Sequence, residues 1–134
     1  MVFLKNTVIL ILIFGFITCR SLSSKTEATS KENPVVIAND SLEYEIIIID
    51  PGFTTYLNSI ARPEGFYSQK YLEIKNSFYV AIWNLRANNP ILYNSDIYQN
   101  KIDYDSNINY GYEVNYKLFN YFEFAQQKYR MVLR

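Results

Sequence analysis

The chain has 134 residues, a length sufficient for one small domain, and its 13 basic and 13 acidic residues give a formal net charge of zero. This balance provides no electrostatic basis for binding nucleic acid or an anionic membrane surface. The sequence contains no histidine and one cysteine, which excludes histidine-based catalysis, histidine-ligated metals and a disulfide framework within the chain.

The N-terminal segment has the layout of a bacterial secretion signal. Lys5 precedes an apolar run over residues 8–17, which is the order of the charged and hydrophobic regions in a signal peptide. The tetrapeptide that ends at Cys19 resembles a lipobox, in which the cysteine is acylated and becomes the mature N-terminus, although Thr18 is larger than the usual small residue. We therefore predict a lipoprotein signal peptide over residues 1–18 and lipidation of Cys19.

Two alternatives to this lipid anchor are open. An ordinary signal peptide would make Cys19 a coincidence, and an uncleaved membrane anchor would have to tolerate Lys5 and Asn6 in an already short span. Several acyl chains would hold the protein stably, because one chain alone binds a membrane marginally. Arg20 differs from the aspartate associated with inner-membrane retention, so the sequence favours the outer membrane of a bacterial envelope.

The segment after Cys19 is predicted to be a tether. Residues 20–41 are rich in Ser, Thr, Lys and Glu and cannot bury much apolar surface, so they are typical of disordered chain. About twenty such residues would hold the domain on the order of 25 Å from the membrane. We assign residues 19–41 to the lipidated cysteine and the tether, with residues 34–37 as its last ordered approach, and residues 42–134 to one globular domain.

The central element of the predicted domain is a strand within residues 43–53, EYEIIIIDPGF. Its four consecutive isoleucines favour extended backbone, and a short continuous apolar run predicts a strand buried on both faces. Asp50 precedes Pro51, so we interpret its carboxylate as the N-cap of the next helix in preference to a catalytic group. The strand needs a hydrogen-bonding partner, which is either a short strand near residues 101–105 or another molecule.

Three amphipathic helices are predicted to pack against this strand, which gives an α+β fold dominated by helices. They span about residues 51–62, 68–87 and 110–132, and Ser68 is the expected N-cap of the second. The apolar stripe of the second helix comprises Tyr71, Ile74, Phe78, Ile82 and Leu85, and it is flanked by Leu72, Tyr79 and Trp83. The stripe of the third comprises Val114, Leu118, Tyr121, Phe122, Ala125, Tyr129 and Val132. The 13 tyrosines of the chain predict many side-chain hydrogen bonds in the core, because a buried phenol keeps a polar tip.

Two basic residues, Lys75 and Arg86, fall within the apolar arc of the second helix when residues are placed at ~100° steps. A basic group in that position must extend to solvent or find a carboxylate. The pattern therefore predicts a buried basic pair, which has either structural ion-pair partners or a carboxylate or phosphate ligand.

No metal or cofactor site is predicted. Four alternating oxygen-bearing side chains before the third helix are arranged as in a calcium-binding loop, namely Asp103, Asp105, Asn107 and Asn109. However, Ile108 occupies the position that requires glycine in an EF-hand, and Val114 occupies the position that requires glutamate. A capped entry to the third helix is the better interpretation.

Four phrases of the sequence carry a resemblance to a known family, namely EYEIIIIDPGF at 43–53, LNSIARPEGFYSQ at 57–69, IWNLR at 82–86 and IDYDSNINYGYEVNYKLFNYF at 102–122. Over about residues 36–130 the chain is similar to a family of small uncharacterised lipoproteins from Bacteroidota, a domain of unknown function designated DUF6146. The resemblance implies a signal peptide and a lipid anchor. It implies no established activity and supplies no catalytic residues.

The anchor, the tether and the absence of a nucleophile with its base indicate a binding or interaction module of the cell envelope. Its candidate surface combines the loop after the first helix with the start of the third, where aromatic rings, amides and carboxylates suit an envelope protein or a glycan. The surface comprises Arg62, Glu64, Tyr67, Gln69, Tyr110, Tyr112 and Glu113.

Two further functions are alternatives. The first is a structural subunit whose strand pairs with a partner protein. The second is a hydrolase of envelope polymers that uses Asp50 with Glu113 or Glu64, in which case the two carboxyls must lie roughly 5–10 Å apart. Because the carboxylates of each pairing have structural explanations, the sequence favours a role without catalysis.

Overall fold

The computed structural model describes residues 33–134, which form a two-stranded sheet and three α-helices. The strands are β1, Val35–Asn39, and β2, Tyr44–Ile48, and the helices are α1, Phe53–Ser59, α2, Gln69–Ala87, and α3, Tyr112–Lys128. This arrangement confirms the predicted α+β fold dominated by helices. None of the helices in this part of the chain is long and apolar enough to span a membrane. The predicted signal peptide and Cys19 lie outside the described residues.

The hydrogen-bonding partner of the predicted strand is the segment that immediately precedes it. β1 and β2 form an antiparallel hairpin in which Val35 faces Ile48 and Asn39 faces Tyr44. In the connecting turn the Asn39 side chain accepts a hydrogen bond from the Ser41 N–H at 3.1 Å. The hairpin is therefore closed by a short loop, which keeps the entropy cost of pairing small.

This hairpin corrects two expectations. Residues 101–105 contain no strand, and residues 35–41 belong to the fold and not to a disordered tether. A five-residue strand beside a polar, charged tract is too short for composition to separate it from that tract. Its assignment depends on the neighbouring strand, which offers backbone groups that need partners.

The sheet buries one face only, so the expected burial of β2 on both faces is wrong. Ile37 and Ile48 are buried against the helices, whereas Val36, Ile47 and Ile49 are 43%, 56% and 75% exposed. The alternation follows from the pleat, because successive side chains of a strand point to opposite faces. α3 packs on one side of the hairpin, and the other side is open to solvent in the described part of the chain.

α3 is the centre of the packing and contacts α2, α1 and β1. The buried residues of its predicted stripe are Val114, Leu118, Phe122 and Ala125. Residues outside that stripe are buried as well, namely Asn115, Tyr116, Phe119, Asn120 and Phe124. Because neighbours cover the helix on more than one side, a single stripe underestimates its buried surface.

α2 faces the core with a different stripe from the predicted one. Ser68 caps the helix as predicted, since its Oγ accepts a hydrogen bond from the Tyr71 N–H at 3.2 Å. The buried residues are Leu72, Asn76, Tyr79, Val80 and Trp83. In contrast, Ile74, Phe78 and Leu85 of the predicted stripe are 57%, 53% and 56% exposed. The predicted central stripe is therefore wrong, and the core face includes the three residues predicted to flank it, Leu72, Tyr79 and Trp83.

Hydrogen bonding helps to decide which face of α2 is buried. The Tyr79 hydroxyl donates to the Glu123 carboxylate at 2.7 Å, and the Trp83 Nε1–H donates to the Asn100 carbonyl at 3.0 Å. These bonds satisfy the polar tips of two large aromatic side chains and allow their rings to be buried. Because apolar residues surround most of α2, periodicity alone cannot rank the two stripes.

α1 begins at Phe53, later than predicted, and Asp50 does not cap it. Gly52 occupies the N-cap position with φ 97°, a left-handed conformation that glycine adopts without strain. The Asp50 carboxylate is bound instead by Lys128 and by the Tyr129 hydroxyl at the end of α3. The predicted cap is wrong because tertiary donors, one of them charged, occupy both oxygens of this carboxylate.

Candidate functional site

A cleft of about 700 Å³ runs along β2. One wall consists of the consecutive residues 43–51, and the opposite wall is the irregular segment 96–103. Trp83 of α2 and Tyr121 of α3 contribute aromatic rings to the lining. No residue of β1 lines the cleft, so the cleft lies at the edge of β2 that β1 does not use.

The edge of β2 that faces the cleft is open within residues 33–134. The sheet there has two strands, and no backbone hydrogen bond joins β2 to segment 96–103. In an antiparallel pair, alternate residues turn their N–H and C=O groups toward the partner strand, so the remaining groups of β2 point into the cleft. At one end the Tyr44 hydroxyl donates to the Asp103 carbonyl at 2.7 Å and joins the two walls.

Segment 96–103 is held in place by α2. Asn84 Nδ2 donates to the Ile102 carbonyl, and Asn84 Oδ1 accepts from the Ile102 N–H, both at 2.8 Å. The Trp83 Nε1–H donates to the Asn100 carbonyl. Because these three bonds use the backbone of the segment, it cannot be drawn fully onto β2 without breaking some of them. The cleft is therefore preformed.

An ion pair lies at the other end of the cleft. Lys128 donates to the Asp50 carboxylate and, at 2.8 Å, to the Pro51 carbonyl. The Tyr129 hydroxyl donates to the second Asp50 oxygen at 2.9 Å. Burial and this hydrogen bond raise the pKa of Tyr129 to about 12, so the phenol is a donor at neutral pH. These contacts attach the end of β2 to the end of α3.

Replacing Asp50 with Asn is expected to lower the free energy of unfolding by about 2 kcal/mol, because Lys128 then has no counter-charge in a partly buried site. The Asp50 side chain is 10% exposed. Glu113→Gln is the matched control, since its pair with Lys117 involves a carboxylate that is 69% exposed and should contribute less than about 0.5 kcal/mol. Urea unfolding measures both variants. Equal losses would show that the Asp50 pair is only a surface contact.

The loop and the helix start that form the predicted binding surface do lie side by side. The Gly65 N–H donates to the Tyr112 hydroxyl at 2.6 Å. The Tyr116 hydroxyl donates to the Arg62 carbonyl at 2.7 Å. These two bonds tie the loop after α1 to the first turns of α3.

Several side chains of that surface take part in the packing of the fold. Tyr67 stacks on Tyr71 with ring centroids 4.7 Å apart, and Tyr110 is 4% exposed. Gln69 Nε2 donates to the side chains of Glu73 and Asn109. The side chains that are exposed belong to Arg62, Glu64 and Glu113. We therefore place the candidate site in the cleft along β2, where backbone groups are open.

Lys75 and Arg86 are half-buried and do not form a pair. Eleven residues of helix separate them by about 16 Å. Lys75 Nζ lies 5.9 Å from the centroid of the Tyr71 ring and 5.8 Å from that of Tyr79. Arg86 donates to the Tyr98 hydroxyl at 2.8 Å and lies over the same ring. Tyrosine rings and a hydroxyl accommodate these two charges.

The carboxylates considered for a hydrolase are far apart. Asp50 contacts Lys128 at the end of α3, whereas Glu113 lies in its first turn, and fifteen residues of helix correspond to about 22 Å. Glu64 belongs to the loop that Tyr112 binds, at the same end as Glu113. Both pairings exceed the roughly 5–10 Å of glycosidase carboxylates. The described part of the chain also contains no group of three or more acidic or cysteine side chains able to hold a metal ion.

Sequence reasoning does not identify the second wall of the cleft. Segment 96–103 carries no motif, and its position depends on bonds to α2 from residues 17 and 18 positions away. The available signal is the strand itself, which needs a hydrogen-bonding partner. The structure supplies that partner from β1 and not from the predicted segment near residues 101–105, and within residues 33–134 the other edge of β2 pairs with no strand.

A comparison with protein families agrees with the resemblance seen in the sequence. The model of a family of unknown function, DUF6146, matches residues 7–134, which include both strands, all three helices and both walls of the cleft. No curated protein and no solved structure matches the chain. The function must therefore be inferred from the geometry.

Proposed function

We propose that this chain, which belongs to the DUF6146 family of unknown function, is an interaction module that binds an extended peptide segment of a partner protein along the open edge of β2. The observation that carries the proposal is the cleft of about 700 Å³ between that edge and segment 96–103. The signal peptide and the lipidated Cys19 predicted from the sequence supply a membrane anchor. The module is accordingly assigned to the bacterial cell envelope, with the outer membrane favoured.

The dimensions of β2 suit the addition of one strand. Five residues at about 3.4 Å each make an edge of about 17 Å, which corresponds to a peptide of about five residues. The outward N–H and C=O groups of β2 can supply the main-chain hydrogen bonds, and alternate side chains of the peptide then supply specificity. The half-buried Tyr121 offers part of its ring to those side chains, above the buried Trp83.

The second wall favours a single peptide strand over the association of whole sheets. An open strand edge is a template for aggregation unless a protein protects it. Segment 96–103 stands beside the edge and is fixed to α2 through Asn84 and Trp83, so it obstructs the approach of another folded sheet. An extended segment without a bulky fold around it meets no such obstruction.

Site-specific photo-crosslinking in cells tests this proposal. A photoreactive amino acid at Gln99, in the second wall, should capture a partner protein, whereas the same group at the exposed Asn58 of α1 should not. Mass spectrometry should map the adduct to one extended segment of the partner. Capture of the same proteins at both positions would contradict specific binding in the cleft.

Proline substitutions add a second arm to that experiment. Consecutive strand residues turn their N–H groups to opposite edges, so one of Glu45→Pro and Ile46→Pro blocks the cleft edge while the other disrupts pairing with β1. The variant that keeps its stability should lose the adduct. If the adduct persists in that variant, β2 does not bind the partner through its backbone.

A separate experiment in the same cells tests the lipid anchor. Metabolic labelling with an alkyne analogue of palmitate should mark the wild-type chain and should not mark Cys19→Ser, because the acyl chains require the cysteine. Equal labelling of the two chains would overturn the lipid anchor and leave the peptide-binding proposal unchanged.

A further inference from the structure

The walls of the cleft carry an excess of negative charge. The acidic residues that line it are Glu43, Glu45, Asp50, Asp96 and Asp103, and the basic residues are Lys101 and Lys128. Asp50 and Lys128 neutralise each other in their ion pair. Four carboxylates then face one ammonium group, which leaves a local charge of −3 in a chain whose formal net charge is zero.

The four remaining carboxylates are available to a ligand. All four residues are exposed. The ion pairs within residues 33–134 are Lys117–Glu113 and Lys128–Asp50, so none of the four has a cationic partner there. Like charges gathered along one cleft repel one another, and a bound cation relieves that repulsion.

We infer that the peptide segment accepted by the cleft is cationic, an inference that rests on the proposed strand addition and specifies its ligand. Glu45 and Ile47 of β2 and the following Ile49 alternate along one exposed face. A peptide strand that carries Lys or Arg on the same face therefore places one basic residue opposite Glu45 in a favourable cross-strand pair, and the apolar stems of the other basic side chains cover the two isoleucines. Asp96 and Asp103 present further negative charge from the second wall.

The same charges disfavour a second copy of this chain as the occupant. Pairing β2 with the β2 of another molecule would bring two acidic clefts together, and like charges across an interface oppose association. An acidic peptide is rejected for the same reason. The charge pattern thus selects one class of partner, a segment with alternating Lys or Arg residues.

Three alternating heptapeptides, with Lys-Val, Gln-Val and Glu-Val repeats, test the inference against the full-length protein in detergent. Fluorescence anisotropy should give a Kd about tenfold lower for the Lys-Val peptide than for the Gln-Val peptide at low salt, with Glu-Val the weakest. The tenfold advantage should largely disappear at about 1 M salt, where the Debye length is about 3 Å. Hydrogen exchange of the β2 amides should slow on binding.

Charge-neutral variants show which carboxylates produce the preference for the Lys-Val peptide. The double substitution Glu45→Gln and Asp96→Asn should remove most of the difference between the Lys-Val and Gln-Val peptides without weakening Gln-Val binding. Glu64→Gln, which neutralises an exposed carboxylate outside the cleft, is the matched control and should leave both affinities unchanged.

The outcomes separate this inference from the proposed function. Equal affinities for the Lys-Val and Gln-Val peptides would overturn the cationic preference and leave strand addition intact. Failure of all three peptides to bind, or binding that does not slow exchange in β2, would overturn strand addition itself. A dimer of the chain that the peptides dissociate would identify a second copy as the occupant and would also overturn the inference.

Discussion

Above pH 10 the protein is expected to unfold cooperatively as its buried tyrosines ionise. Burial is the main cause that raises the pKa of the affected residues above the ordinary value of 10.0, and these are Tyr44, Tyr56, Tyr79, Tyr104, Tyr116, Tyr121 and Tyr129. For Tyr79, Tyr104 and Tyr129 the pKa rises to about 12. Neutral phenols are therefore part of the folded core.

The direction of the effect follows from proton binding. A phenol whose pKa is higher in the folded state binds more protons there than in the unfolded chain, so stability decreases as the pH rises from 10 through about 12. Below pH 10 these phenols are protonated in both states, and their contribution is fully present. Tyr79 and Tyr129 also donate to the carboxylates of Glu123 and Asp50, so each phenolate would meet a second negative charge.

Circular dichroism and phenolate absorbance, followed together across this pH range, measure the effect. Loss of helix should coincide in one transition with the phenolate signal of the seven tyrosines whose pKa is raised, because unfolding exposes these phenols together. If the whole phenolate signal instead develops near pH 10 while the helices persist, these seven tyrosines do not couple ionisation to folding.

The second large effect concerns Asn115, a fully buried amide in the first turn of α3. Its Oδ1 accepts from the Tyr104 hydroxyl at 2.8 Å and from Asn76 Nδ2 at 3.1 Å, and its Nδ2 donates to the Gly111 carbonyl at 2.8 Å. This one side chain therefore joins α2, α3 and the segment that precedes α3.

Asn115→Ala is expected to lower the free energy of unfolding by about 3 kcal/mol. The substitution leaves the Tyr104 hydroxyl without its acceptor, removes one acceptor of the Asn76 amide and opens a small cavity. Asn58→Ala, at an exposed position of α1, is the control and should change stability by less than about 0.5 kcal/mol. Urea unfolding compares the two. Similar small changes would mean that water replaces the buried amide without loss.

The helices were predictable because their signals are local. Ser68 precedes an apolar pattern and caps α2 in the structure, and the predicted range 68–87 agrees closely with Gln69–Ala87. The predicted range 110–132 contains Tyr112–Lys128, since a long aromatic stripe at helical spacing is a strong signal. Capping and periodicity depend on residues within a few positions of one another, which a sequence displays directly.

The buried face of α2 and the role of Asp50 were not predictable in this way. Two stripes of α2 are apolar, and the buried one is selected by partners such as Glu123 and Asn100, which lie far along the chain. Asp50 has the local context of a helix cap, yet donors from the end of α3 bind it. In both cases a long-range polar contact overrides a correct local propensity.

For β2, what the local sequence determines can be separated from what the tertiary structure decides. The sequence by itself determined that the run of isoleucines forms an extended strand, because β-branched side chains restrict the backbone. Only the tertiary structure decided that β1 pairs with one edge and that segment 96–103, attached to α2, forms a cleft beside the other. Strand edges bind whichever backbone the packing brings near, so the open edge on which the proposed function rests is a property of the assembled fold.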